Sequence, residues 1–492
     1  MSCEPQSTRW AVRALLLGLA LSPVQGLAAG CAPPAVLAAA ELAQGGTIHS
    51  LRMDGAGHDF VVGQGWEAGG AWPKFNVEAY ERAVDFDAGT SSLRTVRSQA
   101  LKPPRGGARQ PFERSEQITA VAADSPRAAA LRRELAVLLP AGFIAMARRA
   151  SDVSSTPLAG GACSISVTPE EGAPINAEIG ADGWITRIIS MTADDVTGDV
   201  LGDTPVETRF SGRLRAGSFT LPAHILQRVG QYPVLDIELH RASVNEPVIV
   251  VADAVPALAD WMAPARLPSE QLGEGVFVIP GRYSAVAVDL GEYMAVIEGP
   301  QSEARAREII TEARRLIPGK PIRYVVNTHA HFDHAAGLRV FAAEGATIVT
   351  QSANVGFLTE ALGHPRTLRP DALAREPRPI RFLPVEDALT LQGGGREISL
   401  HRLQGVDHAD GMLVVWLPGQ RALVEADIFT PPARARTAMP SSINPYNVQL
   451  LDNIERLGLD VERLISIHYA ADGRRVGMDE LRLAAGRPHL TQ

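Results

Sequence analysis

Three histidines and one aspartate lie within six residues in the second half of the chain. The segment reads His-Ala-His-Phe-Asp-His and contains His329, His331, Asp333 and His334. It follows the apolar run 322–327, whose composition predicts a buried strand. Imidazole and carboxylate groups at this density, on a loop that leaves a strand, can converge on zinc or another first-row divalent ion. A solvated polar loop is the alternative interpretation.

The six-residue segment resembles the metal-binding signature of the metallo-β-lactamase superfamily, whose fold is an αββα sandwich of two mixed sheets. The resemblance covers residues 271–472. It implies that His329 and His331 bind a first zinc ion, and that Asp333 and His334 bind a second.

The same resemblance implies three further ligands downstream. His408 would complete the first zinc site, Asp427 would bridge the two ions, and His468 would complete the second site. Each of the three follows or ends an apolar run typical of a strand, as the fold requires. Two zinc ions per chain are therefore expected, with iron or manganese as alternatives.

The charges of such a site predict its chemistry. Two Zn²⁺ ions, two aspartates and a bridging hydroxide leave a net charge of about +1, which favours an anionic or strongly polarised substrate oxygen. Metal binding lowers the pKa of water toward ~7, so that a hydroxide can attack without a separate base. Asp333 is predicted to orient this nucleophile. Tyr469, beside His468, is a candidate oxyanion donor, although its side chain could equally pack inward.

Three acidic residues near the predicted ligands need a separate interpretation. Glu298 stands close to the place where the superfamily commonly has an aspartate at the end of an early strand. We interpret it as hydrogen-bonded support for the metal loop and not as a ligand. Asp407 and Asp410 flank His408 and are expected to be polar loop groups.

Several features of the sequence differ from those of particular branches of the superfamily and so disfavour the functions of those branches. No cysteine lies near Asp427, only 24 residues follow His468, and the segment between His408 and Asp427 is too short for an inserted domain. These features disfavour β-lactamases with a cysteine ligand, glyoxalase II-like enzymes and nucleases. His331 stands where flavodiiron proteins have Glu. The prediction that remains is a binuclear hydrolase of a small ester, lactone, thioester or sulfate ester.

Two rival functions remain open. A mononuclear non-heme iron sulfur dioxygenase uses the same first motif, with two histidines and one aspartate on a single ion. A non-enzymatic periplasmic carrier would bind an apolar ligand in the N-terminal region, and its metal domain would have only a structural role. Structural zinc rarely needs two adjacent ions with an open position, which argues against the carrier.

Alternating strands and helices surround the metal motif and predict an α/β domain over residues 271–475. A helix is expected from 302 to 316, because Ser302 begins a capping-box-like sequence and Pro318-Gly319 follows. A second helix is expected near 335–344. Residues 476–492 are assigned to a C-terminal tail.

Residues 41–260 predict a separate, mainly antiparallel β domain. Short β-prone runs from 184 to 240 alternate with turn sequences, and 127–150 has a helical pattern interrupted at Pro140. This region loosely resembles the open, curved-sheet domains of periplasmic lipoprotein carriers. An Ala- and Pro-rich linker, 254–268, follows it.

The N-terminus is typical of an export signal, assigned to residues 1–30. Arg9 and Arg13 precede the apolar run 14–21, which is too short to span a bilayer. Residues 27–31 also resemble a lipoprotein cleavage box, in which Cys31 would be lipidated and would associate with a membrane. Without the lipid, Cys31 could pair with Cys163 in an oxidising compartment. A periplasmic protein or a membrane-surface lipoprotein is expected.

The net charge of −8 argues against a nucleic-acid partner, because phosphate binding needs a cationic surface. A small-molecule substrate is therefore expected.

Overall fold

The computed structural model describes residues 30–107, 114–170, 172–192, 197–248, 267–468, 470 and 472–488. Three predicted features lie wholly or almost wholly outside these residues: the export signal, the Ala- and Pro-rich linker and Tyr469.

The N-terminal domain, residues 30–248, is built on one antiparallel sheet, which has eleven strands within the described ranges. The strands of this domain are β1 (Ser50–Phe60), β2 (Lys74–Asp85), β3 (Thr90–Gln99), β4 (Arg114–Val121), β5 (Val153–Pro157), β6 (Cys163–Val167), β7 (Ile175–Ile179), β8 (Ile185–Thr192), β9 (Thr204–Ser211), β10 (Leu214–Ala216), β11 (Phe219–Leu221), β12 (His224–Val229) and β13 (Tyr232–Val244). The sheet order is β4-β3-β2-β1-β13-β12-β9-β8-β7-β6-β5, and β10 and β11 form a separate hairpin. The predicted antiparallel β domain is thus confirmed.

Helices cover one face of this sheet. They are α1 (Pro33–Ala43), α2 (Ala128–Leu138) and α3 (Pro140–Arg149). A further short helix, α4 (Thr197–Leu201), packs in the apolar cluster shared with the C-terminal domain. The break between α2 and α3 falls at Pro140, as predicted, because proline lacks the N–H that a continuous helix needs. Phe143 of α3 and Ile165 and Ile188 of the sheet are fully buried in the shared core.

A disulfide between Cys31 and Cys163 joins the residues before α1 to strand β6. Its Cα–Cα distance is 5.9 Å, and it spans 132 residues of sequence. This pairing is one of the two arrangements of Cys31 that the sequence left open.

The C-terminal domain, residues 267–488, contains two mixed sheets. The first has strands β14 (Glu270–Gly273), β15 (Val276–Ile279), β16 (Ala285–Asp289), β17 (Met294–Ile297), β18 (Ile322–Val326), β19 (Thr347–Gln351) and β20 (Arg381–Val385) in that order. The second has β21 (Ala388–Gly393), β22 (Arg396–Arg402), β23 (Leu413–Leu417), β24 (Ala422–Glu425), β25 (Arg463–Ser466) and β26 (Val476–Gly477) in that order.

Helices flank both sheets. They are α5 (Glu303–Leu316), α6 (Phe332–Ala335), α7 (Leu338–Ala343), α8 (Ser352–Gly363), α9 (Ala372–Arg375), α10 (Pro445–Leu457) and α11 (Met478–Ala484). Helix α5 is confirmed as predicted, since the Ser302 hydroxyl accepts the Arg305 N–H at 3.2 Å. The helix expected near 335–344 is instead two short helices, α6 and α7, separated at Gly337, where a Cβ would lie 2.6 Å from the Gly299 carbonyl oxygen.

Three apolar clusters define the layers of this domain. Val326 of the first sheet and Val415 of the second lie in the core between the sheets. Ile309 of α5 packs on the outer face of the first sheet, and Leu450 of α10 packs on the outer face of the second. The order helix, sheet, sheet, helix is the predicted αββα sandwich, which confirms the fold class.

The C-terminal segment contributes more structure than the sequence indicated. The sequence predicts a tail over residues 476–492, but β26 pairs with β25 and α11 packs against α10. Leu481 of α11 is fully buried, because it belongs to the core under α10. Among the described residues, no helix is long and apolar enough to cross a membrane.

The two domains share an extensive interface. The Trp72 ring stacks on Tyr232 at 4.4 Å and meets the edge of Phe332, in the metal loop, at 5.8 Å. The carboxylate of Asp199 in α4 accepts the N–H of Glu303 at the start of α5, at 3.0 Å. Asp203 accepts the Thr367 N–H at 2.6 Å. Apolar stacking and helix capping thus hold the N-terminal domain against the metal loop.

Candidate metal centre

Strand β18 delivers the six-residue motif to one edge of the sandwich. Asn327, the first residue after this strand, donates from Nδ2 to the carbonyl oxygens of His329 at 2.7 Å and His334 at 3.1 Å. These two bonds close the loop on itself, so its imidazoles are fixed relative to the strand. His408 follows β22, Asp427 follows β24 and His468 follows β25, so the remaining predicted ligands reach the same edge.

The structure brings all seven predicted ligands together in two groups of four that share Asp427. The first group is His329, His331, His408 and Asp427, and within it the candidate ligand atoms lie within 4.8 Å of one another. His329 Nε2 is 2.9 Å from His331 Nδ1 and 3.3 Å from His408 Nε2. Asp427 Oδ2 is 3.1 Å from His408 Nε2.

The second group is Asp333, His334, Asp427 and His468. Asp427 Oδ1 lies 3.0 Å from His334 Nε2 and 2.5 Å from His468 Nε2. Asp333 Oδ2 is 3.7 Å from His334 Nε2. The two oxygens of Asp427 therefore face different groups, which is the arrangement that a bridging carboxylate needs.

The donor set fits divalent cations. Three imidazole nitrogens of the first group point at one another, and neutral imidazoles arranged in this way present lone pairs to a common point. In the second group, among the described residues, His334 Nε2 and Asp427 Oδ1 are buried without a hydrogen bond of good geometry, although they are 3.0 Å apart. Two adjacent ions would satisfy all of these atoms.

The electrostatics of the two groups differ. Burial, followed by the nearby His408, lowers the pKa of His331 to about 3. Burial also holds the pKa of His329 well below its ordinary value. Burial opposes charge on His334 too, but the carboxylates of Asp427, Asp333 and Glu298 raise its pKa well above the ordinary value. The first group is therefore rich in neutral imidazole, and the second is rich in carboxylate.

Glu298 supports the metal loop as the sequence predicted. Its Oε1 accepts the N–H of Thr328 at 2.8 Å, and its Oε2 lies 3.0 Å from Nδ1 of His334. Glu298 is fully buried and is placed outside both candidate ligand groups. The bond to Nδ1 leaves Nε2 of His334 facing Asp427, so Glu298 selects the nitrogen that this imidazole presents to a metal.

Two residues of the site adopt left-handed backbone conformations, which are uncommon for side chains with a Cβ. Asp427 has a φ of 65° and Glu298 a φ of 76°. Such conformations persist where the surroundings over-determine them, and they cluster at functional sites. Glu298 directly follows β17 and Asp427 lies two residues after β24, so each carboxylate turns from the end of a strand toward the metal loop.

The N-terminal domain supplies contacts that the sequence interpretation missed. The β1–β2 loop, residues 61–73, places Gln64 Nε2 2.7 Å from Asp333 Oδ1 and the Gly65 carbonyl oxygen 3.0 Å from His331 Nε2. The glycine-rich sequence of this loop indicates turns and no particular site residue. Its two tryptophans among glycines were the available signal, because large apolar side chains on a loop commonly mark a contact surface.

Tyr283 is a second residue that sequence reasoning missed. Its hydroxyl donates to Asp333 Oδ2 at 2.9 Å, and its ring lies 4.6 Å from the ring of His468. Burial, with the charges of Asp333 and Asp427, raises the pKa of Tyr283, so its hydroxyl keeps its proton. Tyr283 thus lies beside the second group. Tyr469, the oxyanion donor that the sequence offered, is outside the described ranges.

Exposure shows from which side a substrate reaches the site. The side chains of His329 and His334 are fully buried, whereas that of Asp333 is 21% exposed and that of His468 is 25% exposed. The β1–β2 loop lies over His331. Access is therefore through the edge of the second group, beside Tyr283.

The acidic residues around His408 behave as the sequence predicted. Asp407 accepts the side-chain amide of Gln449 at 2.8 Å, and Asp410 pairs with Arg402 at 3.0 Å. Both serve the loop that carries His408 and lie outside the candidate ligand groups.

Comparison with known proteins agrees with this geometry. Residues 284–468 match the family model Lactamase_B, described as the metallo-beta-lactamase superfamily. No curated protein matches the chain.

Similar solved structures cover less than half of this chain. A metallo-beta-lactamase from Pontibacter korlensis is 14% identical over 45% of this chain and 97% of its own, with a TM-score of 0.34. A metallo-beta-lactamase from Hirschia baltica is 18% identical over 44% and 96%, with a TM-score of 0.33. Rubredoxin oxygen:oxidoreductase from Desulfovibrio gigas is 17% identical over 44% and 61%, with a TM-score of 0.33.

The matched segment, together with the αββα sandwich and the two His/Asp groups at its edge, makes the C-terminal domain a member of the metallo-β-lactamase superfamily.

Proposed function

We propose that this protein is an exported, two-zinc hydrolase that cleaves a small ester, lactone, thioester or related bond. The observation that carries the proposal is the shared position of Asp427, whose two oxygens face two separate groups of imidazole and carboxylate. A protein that needed one structural ion would not require seven donors arranged around a common carboxylate.

Imidazole and carboxylate donors of this kind suit zinc. The first ion would be held by His329, His331 and His408, the second by Asp333, His334 and His468, and Asp427 would serve both. When bound, two such ions lower the pKa of water and polarise the oxygen of a carbonyl or ester group.

The residues of the chain supply orientation. Gln64 and Tyr283 hydrogen-bond opposite oxygens of Asp333, which fixes the plane of its carboxylate. A carboxylate fixed in this way can accept a hydrogen bond from a nucleophilic water and set its direction of attack. The Tyr283 hydroxyl keeps its proton and lies beside the partly exposed Asp333 and His468. In exchange for its bond to Asp333, it can donate a hydrogen bond to a substrate oxygen on which negative charge develops.

The enclosure of the site favours a small substrate. The first group is covered by the N-terminal domain, so the part of the substrate that reacts must approach past Asp333 and His468. Because water is excluded from the buried histidines, electrostatic interactions between the site and a bound substrate are stronger than they would be in water.

Metal quantification on the purified mature chain tests the proposal. About two zinc ions per chain, together with hydrolysis in a panel of esters, lactones and thioesters, is the expected result. One iron per chain, with oxygen consumption in place of hydrolysis, would instead support the sulfur dioxygenase. Asp333→Asn should abolish turnover while leaving the far-ultraviolet circular dichroism spectrum unchanged. Equal activity of wild type and this variant on every substrate would exclude the mechanism.

The export proposal draws support from the Cys31–Cys163 pair, because disulfides persist in oxidising compartments. Fractionation of cells that produce the full chain tests it, with the periplasm as the expected location. Recovery of the protein in the cytoplasm with both thiols reduced would contradict it.

A further inference from the structure

We propose that the β1–β2 loop of the N-terminal domain is part of the metal centre, with Gln64 as the positioning residue for Asp333. The proposal rests on the two-metal site proposed above. It gives the N-terminal domain a role that neither the sequence interpretation nor the family match assigns, since the match begins only at residue 284.

The contact between Gln64 and Asp333 crosses 269 residues of sequence and the boundary between the domains. Gln64 Nε2 donates to Oδ1 of Asp333 at 2.7 Å, while Oδ2, the other oxygen, faces His334 Nε2 at 3.7 Å. A donor on Oδ1 holds the carboxylate plane, so that Oδ2 remains directed at the second group. Gln64 thus acts on the second group through Asp333 and is not itself a candidate ligand.

The next residue acts on the first group. The carbonyl oxygen of Gly65 lies 3.0 Å from Nε2 of His331, while Nδ1 of the same ring lies 2.9 Å from His329 Nε2. A proton held on Nε2 by this carbonyl leaves the lone pair of Nδ1 for a metal. Two consecutive residues of one loop therefore orient one candidate ligand in each group.

The loop is anchored at several points, which makes this orientation persistent. Trp66 Nε1 donates to the Val406 carbonyl at 3.1 Å, and the Trp66 carbonyl accepts the Asp410 N–H at 2.7 Å. The Gly63 carbonyl accepts the Phe332 N–H at 3.2 Å. The β1–β2 loop is thus bonded to the two segments that carry the imidazoles of the first group.

A second segment of the N-terminal domain, at Gly107, also contacts Gln64 and His331. Gly107, which follows β3, donates its N–H to the Gln64 carbonyl at 2.9 Å. A Cβ at Gly107 would lie 2.5 Å from Cε1 of His331 and 2.0 Å from the Gln64 side-chain oxygen. Only glycine fits between the loop and the imidazole, so the N-terminal domain approaches the candidate ligand as closely as a backbone can.

Cobalt(II) titration of the metal-free, full-length mature protein tests the proposal, because it reports binding without any substrate. The variant is Gln64→Met, which keeps the length and approximate volume of the side chain and removes the amide. We expect affinity for the second cobalt ion to fall about tenfold, while the first is retained, as is usual when a hydrogen-bond partner of a ligand is removed. The visible absorption of the second cobalt ion should change in position or intensity.

Gln117→Met is the matched control, because Gln117 is exposed on β4 of the same domain. It should bind both ions as the wild type does. Gly107→Ala is a second variant and should weaken both ions, because the added Cβ would displace the Gln64 side chain as well as the His331 ring.

Wild-type affinity and an unchanged cobalt spectrum in Gln64→Met would overturn this inference and leave the two-metal hydrolase standing. A wild-type protein that binds no second ion would sink both proposals. Equal losses in Gln64→Met and Gln117→Met would show a general effect on the domain and would also overturn the role of Gln64.

Discussion

The carboxylate of Glu298 lies 3.0 Å from Nδ1 of His334, and both side chains are fully buried. The same carboxylate accepts the backbone N–H of Thr328, so one side chain fixes both the start of the metal loop and an imidazole near its end. Glu298, which orients a candidate metal ligand, thus follows β17, the strand that pairs with β18 and so lies next to the metal motif.

Glu298→Gln is expected to weaken the second metal ion by about 10- to 100-fold, because the amide is a poorer acceptor for the His334 proton than a carboxylate. Competition with a chromophoric chelator measures the effect. Glu360→Gln, at a side chain that is 78% exposed, is the control and should bind both ions normally. Equal affinities in the two variants would remove Glu298 from the metal site.

Asp427→Ala should affect both ions, since its oxygens face both groups. After gel filtration, the wild type should retain about two metal ions per chain and the Asp427→Ala variant fewer than one. His468→Ala should lose only the second ion, because His468 belongs to one group. Plasma mass spectrometry of the three proteins gives the stoichiometries. Retention of two ions by Asp427→Ala would show that this residue does not bridge.

Tyr283→Phe removes the hydroxyl that bonds Asp333 and keeps the ring that contacts His468. We expect kcat/KM to fall about 10- to 100-fold on the substrate found in the panel, with little change in thermal stability. Tyr469→Phe is the comparison, because Tyr469 is the oxyanion donor that the sequence suggests. A larger loss in Tyr469→Phe than in Tyr283→Phe would restore that first assignment.

Asp371→Ala should destabilise the protein by about 3 kcal/mol, because it leaves the buried Arg339 guanidinium without its carboxylate partner. The Arg339 bond and the capped Ala374 N–H hold the pKa of Asp371 below its ordinary value of 3.8, against the opposing effect of burial. The contribution of Asp371 to the free energy of unfolding is therefore present above pH 3.8, the ordinary pKa. It is lost as the pH falls through the lower pKa of the folded state. Urea denaturation should show a larger difference in stability between wild type and variant at pH 7 than near pH 3.

Cys163→Ala should lower stability by about 2–4 kcal/mol, because the disulfide closes a long loop of the unfolded chain. The intact mass of the wild-type mature protein should correspond to a chain with one disulfide and no lipid. A mass increased by acyl chains, with Cys163 reactive toward a thiol reagent, would show that lipidation of Cys31 replaces the disulfide.

The metal domain could be predicted from sequence because its chemistry is local. His329, His331, Asp333 and His334 fall within six residues, and the apolar run before them marks the strand that places them. The later ligands could be found because each ends a strand of the same fold. The support by Glu298 could also be inferred, from its position at the end of β17.

The contribution of the N-terminal domain could not be predicted in the same way. Gln64 and Asp333 are far apart in sequence, and nothing in the local pattern around a glutamine among glycines indicates its partner. Tyr283 was missed because a tyrosine before a buried strand is ordinarily a packing residue. Strands β1 to β3 lie outside the β-prone runs that the sequence predicts, although β2 alternates between buried and exposed positions.

The capping contacts between the domains have a consequence for how the chain reaches its native state. Asp203 bonds Thr367, 164 residues later, and Asp199 caps a helix that begins 104 residues later. A ribosome releases the N-terminal half long before these partners exist, and such distant pairings form slowly. If the chain is exported unfolded, the bonds of Asp199 and Asp203 to the C-terminal domain can form only after the whole sequence is present. Under the export proposed above, the two domains would then dock only after the chain has crossed the membrane.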